Sequence, residues 1–209
     1  MPVAIGSWAC SDPERERLQA TTKATYDKKS GKLTELTFDS NRNGRIDTWT
    51  DMDGTRPVRS RIDSDEDGRI DRWEYYDEAG HLTKVGFSRQ KGDKPDAWAF
   101  STAEKRIERI EVSSASDENK IDRWEYYDVK APAVDGGMGP LIRVEEDTNH
   151  DGKRDKWERY ENGVLNIAEF DENGDGRPDR RLTYRDAGLA SIETSPDGSG
   201  GYAKKMDVK

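Results

Sequence analysis

"DSDEDGRIDRWEYYDEAG", residues 63–80, sets a carboxylate at every second position, then a glycine, then an aromatic run and a turn. Carboxylates this close repel one another, so the stretch needs either solvent or a cation to settle it. It also comes back along the chain. Asp47–Trp49, Asp71–Trp73, Asp96–Trp98, Asp122–Trp124 and Asp155–Trp157 fall into register, and Asp179 continues the series with Arg181 in the place of the Trp. Successive aspartates lie 24, 25, 26, 33 and 24 residues apart, and the long interval contains one insertion, "APAVDGGMGP", residues 131–140. A fixed period of this size sets the architecture, so the chain reads as about six copies of a unit of ~24 residues.

Each unit has the same grammar. Apolar residues lead in: Leu33, Leu36, Phe38; Leu82, Val85, Phe87; Ile107, Ile110, Val112; Leu165, Ala168, Phe170. The acidic loop follows, then "WEYY" or "WERY", then a turn such as "DEAGHL" (77–82), "ENGVL" (161–165) or "DAGL" (186–189). Aromatic and apolar residues on both sides of a short Gly turn predict a β-hairpin, with Gly supplying positive φ. Trp73 and Tyr75 then point to one face, Glu74 and Tyr76 to the other. No segment carries a capped helical period. The expectation is an all-β array of about six β-hairpin repeats with calcium loops, as a single-layer strip, a solenoid or a propeller-like closure. The repeat domain is expected over 21–195, with a leader or N-terminal tail at 1–20 and a C-terminal tail at 196–209. The tryptophans are expected to form the core between stacked copies.

Composition narrows the partners. Of 209 residues, 31% are hydrophobic and 38% charged, too few apolar groups for a thick two-layer core. Six Trp, eight Tyr and four Phe at ordered spacings nonetheless argue against disorder. Net charge is −9 and no basic stripe stands out, which argues against nucleic acid. The single cysteine, Cys10, excludes an internal disulfide, and no apolar run is long enough to predict a transmembrane segment. "MPVAIGSWAC" followed by "SDPERER" resembles the end of a bacterial lipoprotein signal, although it lacks the length and basic start of a full one. That likeness implies a lipid anchor at Cys10; the alternative is a free thiol in an N-terminal tail.

In the acidic loop, Asp63, Asp65, Asp67, Gly68 and Asp71 hold positions one, three, five, six and nine. The same slots hold Asp39, Asn41, Asn43, Gly44 and Asp47; Asp147, Asn149, Asp151, Gly152 and Asp155; and Asp171, Asn173, Asp175, Gly176 and Asp179. Oxygen side chains at alternate positions around a Gly reversal can wrap one hard cation, and the main-chain carbonyls at position seven (Arg45, Arg69, Lys153, Arg177) would add an oxygen. Calcium suits such a large, flexible oxygen cage better than magnesium, which holds its waters. Ordinary Asx turns use the same residues, but four copies in register favour Ca2+, at about four sites. "SRQKGDKPD" (88–96) and "SSASDENKID" (113–122) keep the closing aspartate and the Trp without the first carboxylates, so no tight ion is expected there.

The loop resembles those of EF-hands, dockerins, thrombospondin type 3 repeats and the integrin α-propeller, which share D-x-[DN]-x-[DN]-G. Glu74 and Glu158 stand at position twelve, where an EF-hand has its bidentate Glu; Thr50 and Leu182 stand there in the first and sixth copies. The constant position-nine aspartate fits D-x-D-x-D-G-x-x-D loops better. "YYDEAGHLTKV" (75–85) resembles YD (RHS-type) repeats, which build strips of β-hairpins in bacterial surface and toxin proteins.

Four divalent ions would leave a net charge of about −1, so folding is expected to be coupled to calcium. Loops of this kind in extracellular modules bind at roughly 10⁻⁴–10⁻³ M, which favours an exported location: periplasmic, outer-membrane-anchored or extracellular. No enzyme is expected. The only histidines, His81 and His150, fall in a turn and an acidic loop, and no activated nucleophile, zinc cluster or phosphate loop is present. The function read from the residues is a non-catalytic scaffold or interaction surface whose partner is a protein or a cell-surface polysaccharide. Two alternatives stand beside it: a calcium-dependent carbohydrate-binding module or adhesin using the Trp ladder, and a calcium-responsive subunit of a surface or secretion assembly.

Overall fold

The computed structural model describes residues 21–90, 92–133, 138–199 and 201–208. The leader and the lipidation reading at Cys10 lie outside them. The chain divides into two units, 1–82 and 83–209. The first carries β1 (Thr22–Tyr26), β2 (Leu33–Phe38), β3 (Thr48–Asp53), β4 (Arg56–Ile62) and β5 (Arg72–Tyr76). At the division comes β6 (Leu82–Phe87), and the second unit continues with β7 (Ala97–Ser101), β8 (Ile107–Val112), β9 (Arg123–Tyr127), β10 (Leu141–Glu146) and β11 (Lys156–Glu161). It ends with β12 (Val164–Phe170), β13 (Arg180–Arg185), β14 (Gly188–Pro196) and β15 (Tyr202–Asp207). All fifteen elements are strands, as the alternating sequence pattern predicts.

Within each unit every strand pairs antiparallel with the strands before and after it in the chain. A solenoid would pair strands from successive turns in parallel, and a propeller would break into separate small sheets. Each unit is instead a hairpin strip, because short turns leave a strand no neighbour to reach except the next one. Residues 196–209, expected as a tail, hold β15, whose Ile192↔Met206 and Glu193↔Lys205 pairs extend the ladder past residue 195.

Two kinds of connection alternate. Hairpin turns join β3 to β4, β11 to β12 and β13 to β14, and the Asp-rich loops join β2 to β3, β4 to β5, β10 to β11 and β12 to β13. In an antiparallel meander alternate connections fall at opposite strand ends, so within each unit the acidic loops share one end. In "DAGL" the positive φ falls on Asp186 (49°) and Ala187 (60°), with Gly188 already paired to Arg185 in the strand. A two-residue turn with both central residues at positive φ matches the strand twist, and register overrides the preference for Gly.

The tryptophans supply part of the buried core, with Trp73 and Trp98 in it as expected. In the second unit Trp98, Glu111, Trp124, Glu145, Trp157 and Glu169 lie opposite one another in one row across successive strands. Each repeat contributes two strands, so consecutive Trp rings are about 10 Å apart with a Glu between them. Trp73 and Trp98 are buried, and Trp49, Trp124 and Trp157 are half-buried. The apolar cluster of the second unit sits on the opposite face: Ala97, Ala99 and Ile110, packed by Phe87, Ile107, Val112, Tyr127 and Met138. Met138 belongs to the 131–140 insertion and bridges to Ile107. Arg106 Nη2 donates to the Ala131 carbonyl at 2.7 Å and Asp128 N–H to the Pro140 carbonyl at 2.9 Å, so both described ends of the insertion are docked. Residues 134–137 lie outside the described set.

Candidate metal centres

The closing aspartates, at position nine of five loops and position ten of loop 113–122, explain the period. The Asp47, Asp71, Asp96, Asp122, Asp155 and Asp179 N–H groups each donate to the carbonyl just before their loop, at 2.7–3.2 Å. The carbonyls of Asp47, Asp96, Asp122 and Asp155 accept the N–H of the first residue of the following loop, at 2.8–2.9 Å. The carboxylates of all six aspartates accept the N–H of position two: Ser40 (2.7 Å), Ser64 (2.9 Å), Arg89 (2.7 Å), Ser114 (2.8 Å), Thr148 (3.0 Å) and Glu172 (2.8 Å). One residue thus closes its own loop and ties it to the next. This happens with or without the other acidic positions, which is why the aspartate persists in 88–96 and 113–122. Burial pushes the Asp47 carboxyl up, but the hydroxyls of Ser40 and Thr48 and the Ser40 N–H outweigh it and hold the group below the ordinary carboxylate range.

The position-one residues are buried: Asp39, Asp63, Asp147 and Asp171, with Ser113 in the fourth loop. One oxygen of each aspartate accepts the N–H of the position-six glycine, from Gly44 (2.8 Å), Gly68 (2.9 Å), Gly152 (2.8 Å) and Gly176 (2.7 Å). These glycines sit at φ between 87° and 92°, a conformation strained for any side chain. Position-five oxygens accept the N–H of position seven: Asn43 from Arg45 (2.8 Å), Asp67 from Arg69 (2.8 Å), Asp151 from Lys153 (2.9 Å) and Asp175 from Arg177 (2.9 Å). Position-three oxygens take the N–H of position five from Asn41, Asp65, Asn149 and Asn173, at 2.9–3.3 Å. Glu66 accepts the side-chain amides of both Asn41 and Asn43 from the neighbouring loop.

The four loops differ in one respect. Asp63, Asp65 and Asp71 bring one carboxylate oxygen each to within 4.8 Å of one another, the one such group of acidic, His or Cys side chains among the described residues. Two ligands on opposite sides of a calcium ion stand about 4.6–5.2 Å apart, so these oxygens can share one. Asp63 Oδ1 is buried and has no hydrogen-bond partner. Leaving a buried anionic oxygen unpaired costs about 1–3 kcal/mol or more, and a cation is the partner its chemistry calls for. The residues of this loop therefore fit a hard divalent ion. Asp67 lies outside the triad. In the other three loops the geometry does not draw three carboxylates together.

The position-twelve glutamates point elsewhere. Glu74 accepts from Tyr76 (2.6 Å) and Arg72 (3.0 Å), and Glu158 from Tyr160 (2.8 Å) and Lys156, whose Nζ lies 2.8 Å away. Glu125 is held the same way by Tyr127 (2.8 Å) and Arg123 (2.8 Å), and Arg89 forks onto it at 2.9 and 3.2 Å. A cation, a Glu and a Tyr at alternate positions share one face of the strand, so the spacing [RK]-W-E-x-Y was the available signal. Glu146 joins Arg123 to Lys156, making one chain of charges from Arg89 to Tyr160 across β9, β10 and β11. Burial raises the Glu125 carboxyl, but the Arg89 and Arg123 guanidiniums and the Tyr127 hydroxyl bring it down to about 2.

No known family matches the chain, and no curated protein does. Among solved structures, an S. aureus TarM mutant in complex with Fondaparinux, α-GlcNAc-glycerol and UDP is similar in part. It is 13% identical over 50% of this chain and 22% of that chain, with a TM-score of 0.35, too low to bear on fold or activity.

Proposed function

We propose that the protein is a non-catalytic, calcium-binding array of about six hairpin repeats that serves as a scaffold or protein-interaction surface outside the cytosol. The observation that carries this reading is the Asp63–Asp65–Asp71 cluster, with its buried and unpaired Asp63 oxygen. The loops beginning at Asp39, Asp147 and Asp171 repeat its frame of glycine and side-chain hydrogen bonds, so they are assigned the same ion. Calcium there neutralises the crowded strand ends, whose mutual repulsion otherwise opposes folding. The five described tryptophans are buried or half-buried, which favours the scaffold over a row of exposed rings for sugars. A protein or a cell-surface polysaccharide is the proposed partner, and Cys10 the proposed lipid anchor.

Thermal unfolding followed by Trp fluorescence, in millimolar calcium, in magnesium and in excess chelator, tests the reading. A rise in midpoint specific to calcium is expected. Three coincident curves would reduce the acidic loops to turns.

A further inference from the structure

The position-one aspartates hold their second oxygen in different ways. Asp39 Oδ1 accepts the N–H of Arg42 at 2.6 Å, Asp147 Oδ1 that of Asp151 at 3.1 Å, and Asp171 Oδ1 that of Gly174 at 2.8 Å. In each of these loops an incoming ion competes with a backbone donor for that oxygen. Asp63 Oδ1 has no such donor and is sealed from water. It is also flanked by aspartates at positions three, five and nine, where the other loops place asparagine at position three.

We propose that loop 63–71 is a preformed calcium site that fills first, at least about tenfold more tightly than the other three loops. The proposal rests on the calcium reading above and adds the order of binding. Asp63 has one oxygen already buried and unpaired, and its carboxylate lies within reach of those of Asp65 and Asp71, so that oxygen gives up no hydrogen bond when the ion arrives. In the other loops a charge-assisted hydrogen bond weakens as the ion binds, and one such bond corresponds to tenfold or more in affinity. Neutral amides at position three lower the attraction further, and in loop 39–47 both amides are also tied to Glu66. The first calcium therefore enters the loop that carries Glu66, before the loop whose amides Glu66 holds.

Each loop has its own reporter. The N–H of Gly44, Gly68, Gly152 or Gly176 donates to the position-one carboxylate, so its NMR signal moves when that carboxylate takes a cation. Calcium titration of the full chain, read by amide NMR, is expected to move Gly68 first and the other three at tenfold higher calcium or more. Asp65→Asn, at an exposed position, should weaken the Gly68 step about tenfold and leave the other three steps in place. Four signals moving together, Gly68 moving last, or an unchanged Gly68 step in Asp65→Asn would each overturn the order while leaving calcium binding intact. No movement of any glycine at saturating calcium would overturn the calcium reading as well.

Discussion

Asp96→Ala separates the framework from the ion. Asp96 is 1% exposed and lies in a loop that lacks the first carboxylates, and its two oxygens accept the N–H groups of Arg89 at 2.7 Å and Gln90 at 2.9 Å. Each hydrogen bond to a charged group contributes about 1.5–3 kcal/mol, for a gross loss of about 3–6. Two effects pull the net toward the lower end. Arg89 and Gln90 are exposed, so their amides can turn to water, and truncation removes a carboxylate that was itself costly to bury. The expected loss is about 3 kcal/mol, which for a domain of this size lowers the midpoint by roughly 6–12 °C. Calorimetry of the full chain, with calcium and with excess chelator, measures it. The drop should be equal in both, because no ion is assigned to loop 88–96. A loss below about 1 kcal/mol, or one seen only with calcium, would refute the claim that position nine closes the loop unaided.

Glu125→Gln should flatten the acid side of the stability profile. The folded carboxyl sits at about 2, against a reference value of 4.5, so its contribution is complete above about 4.5 and disappears as pH falls toward 2. At neutral pH the ceiling is about 3 kcal/mol, and urea unfolding from pH 2 to 7 should show a steeper decline in the wild type than in the variant, because Asp47 and Glu158 keep their own share of it; parallel declines would contradict the assignment. On the alkaline side, burial and the hydrogen bond to Glu125 raise the Tyr127 phenol above 10. Its contribution is therefore complete below about 10 and lost as pH climbs past it, so Tyr127→Phe should remove that decline. Gly139→Ala would drive a Cβ into the Asp128 carbonyl oxygen, a backbone atom with little room to move. A loss of about 1–3 kcal/mol or more is expected in thermal unfolding, and an unchanged midpoint would mean that the insertion does not dock as described.

The strands were legible because period two and Gly turns are local signals. The aspartate–tryptophan register showed where the loops recur, yet the reason for it is not local. Asp47 joins Phe38, Ser40 and Asp63, residues up to 16 positions away, and the chain alone does not show these hydrogen bonds. The ladder of one Trp per repeat is readable from the period, but the Glu between successive rings is not, because it comes from the partner strand of each hairpin. For the sites, alternation of oxygens named the loops but not the difference between Asp63 and its counterparts, which lies in single N–H groups of Arg42, Asp151 and Gly174. Glu74 and Glu158 stand at an EF-hand's position twelve by count, and strand alternation turns them toward Tyr76 and Tyr160.

Equilibrium dialysis against calcium, on the full chain at neutral pH with magnesium as competitor, tests the central claim most directly. The account predicts about four calcium ions per chain at millimolar calcium, one for each loop that keeps its position-one aspartate, with magnesium failing to displace them. No calcium bound beyond the magnesium control would contradict it, and would leave the strips held by their hydrogen-bonded aspartates alone.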